Sequence, residues 1–178
     1  AQALYEELAD GKFYKSEGLL GQARTLMAQG RPGSAAPVLK KLVALDPALA
    51  ESLGRQVAAS AELRPLLKDW GLAYFHRAEY AEALSKLSGY LDDVDPGDYA
   101  SLMGLGWSHL RVGHGVQAWQ AFTEAAQAKG ADAAEPLAGV GAAALVLGRV
   151  DEARDILGKA LAADRKNALA LNTLGHLE

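Results

Sequence analysis

The chain has 178 residues, half of them hydrophobic and 22% charged, and its 18 Lys and Arg against 22 Asp and Glu give a formal net charge of −4. It has no cysteine, which removes both a disulfide framework and a thiolate zinc or nucleophile site. Acid excess without a basic cluster argues against nucleic acid as a partner, and no run of about 18 apolar residues offers a membrane span.

Taken in order, residues 1–15 predict a short capping helix with Leu4, Tyr5 and Leu8, then Asp10-Gly11, Phe13 and Tyr14. Residues 16–49 predict a helical hairpin, with Ala23 in the first helix, Gly30-Arg31-Pro32-Gly33 as the turn, Ala35 and Leu39 in the second helix and Asp46-Pro47 as the stop. Residues 50–63, with Leu53, Gly54 and Val57, predict one extra helix before Pro65. Three further units follow at 64–98, 99–133 and 134–167, with turns at Arg77-Ala78-Glu79, Val112-Gly113-His114 and Leu147-Gly148-Arg149. Residues 168–178 hold only a first helix, either a cap or the start of a truncated repeat. The segment opens at Ala1 with neither Met nor a basic-then-apolar leader, so it is expected to be internal to a longer protein, and cytoplasm and periplasm both stay open. Leu177-Glu178 could be a cloning junction and is set aside.

The units repeat. Glycines recur at Gly71, Gly106, Gly141 and Gly175, 35, 35 and 34 residues apart, and twelve residues after the first three stand Ala83, Ala118 and Ala153. Leu67, Leu102, Leu137 and Leu171 lie four before each Gly, and Leu87, Phe122 and Leu157 lie four after each Ala. Small residues let two antiparallel helices approach, and apolar neighbours at helical spacing fill the space beside the contact. With 36 Ala and 19 Gly against 12 aromatic residues, the whole composition suits such contacts.

This pattern resembles the tetratricopeptide repeat, a family built on a degenerate unit of about 34 residues. Leu102-Met103-Gly104-Leu105-Gly106-Trp107 with Gly113, Ala118, Phe122 and Ala125 makes the closest match, followed by Leu137 to Ala160, and the resemblance covers roughly residues 16–178. The late proline of the family is kept at Pro47, shifted to Pro96, and replaced by Gly130 and Arg165. The resemblance implies an all-α, right-handed α-solenoid of stacked antiparallel hairpins.

Candidate chemistry is sparse. Gly139-Val140-Gly141-Ala142-Ala143-Ala144 fits a dinucleotide fingerprint, but that motif needs a strand before it and a helix start on it, whereas this one follows Pro136 inside a predicted helix. Asp92, Asp93, Asp95 and Asp98 cluster at a unit junction, yet Gly104 stands where a calcium loop needs its bidentate glutamate, so Asp98 is expected to cap a helix. His76, His109, His114 and His176 show no i, i+4 pairing and read as isolated, with His109 a packed neutral imidazole. No Ser is coupled to a base, and neither a catalytic residue, a cofactor nor a metal is expected.

The surface stripe is more informative. Leu102, Leu105 and Gly106 suffice as a packing stripe, while Met103, Trp107 and Leu110 form a second one at i, i+4, i+7. Leu137 to Gly148 contain no polar side chain, so something must sit against that helix. The resemblance implies that first helices line a concave surface receiving a peptide or helix of a partner. By position that lining comprises Leu20, Arg24, Met27, Lys68, Leu72, Phe75, Met103, Trp107, Leu110, Ala138, Ala142 and Leu145. It lacks the Lys and Asn pair that holds a C-terminal carboxylate in some co-chaperone members, since Leu72 follows Lys68 by one turn.

The expected function is therefore a non-catalytic protein-interaction scaffold binding an amphipathic helix or apolar peptide segment, with Trp107, Met103 and Phe75 as anchors and Lys68 and Arg24 as polar rim. The chain could instead fill its own groove with Leu4, Leu8, Phe13 and Tyr14 or with the helix at 50–63. Homo-oligomerisation through the stripe is a third outcome. Gly104-Leu105-Gly106 with Gly113 also resembles bacterial secretion chaperones, and an accessory region of a larger enzyme or export complex is a further alternative.

Overall fold

The computed structural model describes residues 14–129 and 133–177, which divide between two compact units, Ala1–Ala78 and Glu79–Glu178. All regular structure among the described residues is helical.

In the first unit α1 (Lys15–Ala28) and α2 (Pro32–Leu45) form a hairpin. Its buried positions follow helical periodicity, Leu19, Ala23 and Leu26 on α1 and Ala35, Leu39 and Leu42 on α2. Pro32 starts α2, where its missing N–H is not needed, and Gly30 turns the chain at φ +68°. The single helix expected over 50–63 is instead three short pieces: α3 (Pro47–Ala50), a 3-10 turn (Glu51–Leu53) and α4 (Gly54–Ala59). Pro47 and the Asp46 cap, whose carboxylate accepts from the Leu49 amide at 2.9 Å, start the helix at once. Leu53 (φ −109°, ψ 0°) and the extended Ser60 then break it; Ala50, Leu53 and Val57 keep the i, i+3, i+7 spacing of one helix face, and Leu63, beyond the break, also reaches the core.

Helix α5 (Leu66–His76) packs on α2 and on the short pieces. Trp70 and Tyr74 are fully buried, and their polar ends converge on one carbonyl: Trp70 Nε1 donates to Pro47 O at 3.0 Å, and the Tyr74 hydroxyl lies 3.2 Å from the same oxygen and 3.0 Å from Glu51 Oε1. Each buried aromatic thus brings a satisfied polar handle into the core.

The second unit is α6 (Tyr80–Asp93), α7 (Tyr99–Arg111), α8 (Gly115–Lys129), α9 (Ala134–Val146), α10 (Val150–Ala163) and α11 (Ala168–Gly175). Each helix packs on the next, and α9 also touches α7 and α11. Asp98 and Asn167 cap α7 and α11 by accepting the Ser101 and Ala170 amides at 2.8 and 2.9 Å. The recurring small residue works as sterics require. A Cβ on Gly106 would come within 2.7 Å of the Phe122 ring, one on Gly139 within 2.6 Å of the same ring, and one on Gly141 within 2.6 Å of Leu157. Phe122, fully buried, is therefore clasped between α7 and α9, while Gly175 faces open space. Neighbouring helices cover most of the unbroken apolar run of α9, burying Ala138, Val140, Ala143 and Ala144 and leaving Val146 half exposed.

Candidate functional site

Six of the twelve positions proposed as lining belong to the first unit. Leu20 is buried, Met27, Lys68, Leu72 and Phe75 are half-buried, and Arg24 is exposed. Arg24 turns its guanidinium to Ser52 Oγ at 3.0 Å, so the inserted stretch engages this stripe. Leu72 lines a concavity of about 350 Å³ with Val43, Ala44 and Ala73, edged by Lys40 and Asp69, which pair at 3.0 Å in the open. The Phe75 ring meets His76 edge-on at 5.4 Å between ring centres. The residues proposed to fill a groove from the N-terminus, Leu4, Leu8 and Phe13, lie outside the described residues, and Tyr14 is 61% exposed.

The other six belong to the second unit, where four converge. Trp107 and Leu110 of α7 and Ala142 and Leu145 of α9 line a concavity of about 300 Å³, with Arg111, Val146 and Thr173 of α11 completing the wall. The i, i+3 and i, i+4 relations on α7 and α9 put these side chains on one strip of each helix. Trp107 has a double role, because its ring also stands edge-to-face on Phe122 at 5.0 Å and 74°. Met103 and Ala138 do not reach the concavity; Met103 is 6% exposed and belongs to the cluster around Phe122, and Ala138 packs with Leu157 and Ala160. Met103, expected as an anchor, therefore does not line the concavity with Leu110 and Leu145, because its side chain packs into the helix pair.

Arg111, Val146 and Thr173 were not on the sequence-derived stripe. Arg111 follows Trp107 by four residues and Val146 follows Ala142 by four, so helical spacing carried a signal for both. Thr173 did not, since only packing brings α11 to α9. Its hydroxyl is satisfied internally by donating to Leu169 O at 2.6 Å.

At the other end of the same helices, Tyr99 donates to Glu135 Oε2 at 2.9 Å beneath Lys129 Nζ, which sits 4.8 Å over the ring. Burial and the Glu135 carboxylate push the phenol up to about 12. It stays a neutral donor tying α7 to α9. The four histidines are not all isolated: His109 and His114 meet across the α7–α8 turn with their Nδ1 atoms 3.4 Å apart. Sequence reading missed them because it searched for partners one helical turn apart, and this pair spans a turn of the chain. Asp92, Asp93, Asp95 and Asp98 build no cation loop. Asp98 caps α7, Asp95 accepts from the Gly97 amide, and among the described residues no three His, Asp or Glu side chains converge as a metal cage would require. Gly139 and Gly141 lie inside α9, so the sequence match to a phosphate loop is helix packing.

The architecture is that of an all-α helical-hairpin repeat. No protein-family model matches the chain, and no curated protein matches it significantly. Solved structures do. The chain is similar to the second tetratricopeptide-repeat domain of the human RPAP3 protein, solved in complex with the HSP70 peptide SGPTIEEVD, at 21% identity and a TM-score of 0.57 over 62% of this chain and 90% of that one. It is also similar to MamA protein, at 25% identity and a TM-score of 0.56 over 94% of this chain and 83% of that one. The repeat spacing, the glycine contacts and these two likenesses together give the chain a tetratricopeptide-like helical-repeat fold.

Proposed function

We propose that the chain is a non-catalytic scaffold that takes an apolar or amphipathic segment of a partner protein against α7, α9 and α11. The observation that carries this reading is the concavity of the second unit, with five apolar side chains, Arg111 and Thr173 in its wall. Burying a side chain of Leu or Phe size there is worth about 1.5–3 kcal/mol before ordering costs, so three anchors together offer roughly 4.5–9 kcal/mol, the range of a millimolar to micromolar complex. The RPAP3 neighbour is complexed with a peptide carrying two Glu and a terminal Asp. Here the wall is mostly apolar, which favours a hydrophobic segment with at most one acidic residue beside Arg111.

The test uses Leu145→Ser, because Leu145 lines the concavity without belonging to the core around Phe122. A photo-crosslinking residue at position 146 identifies the partner segment, and that segment is then titrated against the purified chain. An unchanged melting curve with at least about tenfold weaker binding in Leu145→Ser supports the reading; unchanged affinity overturns it. Light scattering over a dilution series separates self-association through the same strip.

A further inference from the structure

The turn that ends α7 has a defined form. Gly113 adopts φ +82°, its amide donates to Leu110 O at 3.1 Å, and the His114 amide donates to His109 O at 2.8 Å. This six-to-one bond brings the first and last side chains of the turn together, where such turns commonly hold a hydrophobic contact. Among the described residues, two other turns combine this bond with a positive-φ glycine: Arg31 to Leu26 O after α1, with Gly30 at φ +68°, and Arg149 to Ala144 O after α9, with Gly148 at φ +73°. Those turns juxtapose Leu with Arg and Ala with Arg, neither of which can ligate a metal. After α7 both residues are His.

The imidazoles stand with Nδ1 atoms 3.4 Å apart, ring centres 5.6 Å apart and planes at 44°. That separation exceeds the 2.7–3.2 Å of an ordinary N–H hydrogen bond. Two nitrogens each about 2.0–2.1 Å from one tetrahedral zinc ion lie roughly 3.3–3.4 Å apart. We propose that His109 and His114 form a bidentate site for a borderline divalent transition metal, Zn²⁺ in the first instance, through their two Nδ1 atoms, with the remaining tetrahedral positions left to water. A square-planar ion would need the nitrogens closer, so the geometry selects against the tetragonal preference of Cu²⁺.

Electrostatics agree with this placement. Burial first, and the neighbouring His114 second, hold His109 below the ordinary imidazole value, which keeps its lone pair free at neutral pH. The carbonyl end of α7 favours a cation, and Arg111 lines the concavity described above. With two protein ligands the site is open and exchangeable, unlike a closed four-ligand structural zinc.

Calorimetric titration of the purified chain, carrying no polyhistidine tag, with Zn²⁺ alone tests the proposal, and visible absorption of added Co²⁺ reports the coordination geometry. The expected result is one Zn²⁺ per chain at micromolar affinity, weakened roughly tenfold or more by His109→Ala and by His114→Ala and changed less than about twofold by His76→Ala. Gly113→Ala keeps both imidazoles but strains the turn, and is expected to weaken binding as well. If an alanine variant unfolds, Asn at that position replaces it in the comparison. Absence of saturable binding below about 1 mM, or affinity unaltered in both histidine variants, overturns the proposal.

Discussion

The two units pack their helices by different devices. In the second, glycines of α7 and α9 lie against the faces of Phe122 and Leu157, and the same contact recurs from hairpin to hairpin. In the first, Ala23 provides the close approach between α1 and α2, and α5 is fastened by two buried aromatic donors on the Pro47 carbonyl. The difference follows from the inserted stretch after α2. It contributes Ala50, Leu53, Val57 and Leu63 to the first core and engages Arg24, whereas the regular second unit leaves the strip through Trp107 and Leu145 open. The regular unit keeps a concavity, the face proposed above for a partner segment, and the insertion lets the chain cover part of the corresponding stripe of the first unit itself.

Three perturbations bear on this contrast. Phe122→Ala empties the space clasped by Gly106 and Gly139 and is expected to cost about 3–5 kcal/mol. Hydrogen exchange should then accelerate across 99–163 well before 15–76; a loss under about 1 kcal/mol would show that the glycine contacts do not hold the second unit together. Trp70→Phe keeps most of the bulk but removes the indole N–H, while the Tyr74 hydroxyl still reaches Pro47 O. About 1–2 kcal/mol should be lost in chemical denaturation, with the exchange effect confined to the first unit. Equal loosening of both units would contradict the separation drawn above.

The smallest effect concerns pH. His109 titrates below its ordinary 6.5 in the folded chain, so as pH falls the unfolded state takes up the proton first. Stability is full above about 6.5 and declines as pH drops toward the folded value. Wild type should therefore lose more melting temperature between pH 7.5 and 5.5 than His109→Gln, measured without metal. A steeper loss in the variant would reverse the assignment.

Much of the fold was legible before any coordinates. Gly106 and Gly141, 35 residues apart, each stand in the first helix of a packed pair, α7–α8 and α9–α10, because helix approach depends on local sterics, and the turns fell where Gly30, Ala78, Gly113 and Gly148 adopt positive φ. The breaks within 50–63 were not legible, since Ala50, Leu53 and Val57 keep the i, i+3, i+7 spacing of one helix face across the interruption at Leu53. The candidate site was half legible. Trp107 and Leu110 follow from helical spacing and Ala142 and Leu145 from their position in the resembled repeat, but whether Met103 points along the strip or into the Phe122 cluster differs by a rotation of a fraction of a turn, which periodicity does not resolve.

By itself the sequence determined the helices, their pairing into hairpins and the excess of apolar surface, because propensity, turn chemistry and small-residue spacing act over a few residues. Only the tertiary structure decided which of that surface the chain covers, that Thr173 of α11 closes the concavity, and that His109 meets His114 across a turn. Burial and the meeting of distant side chains depend on where whole helices come to rest, and that is set by the sum of many contacts instead of by any local pattern.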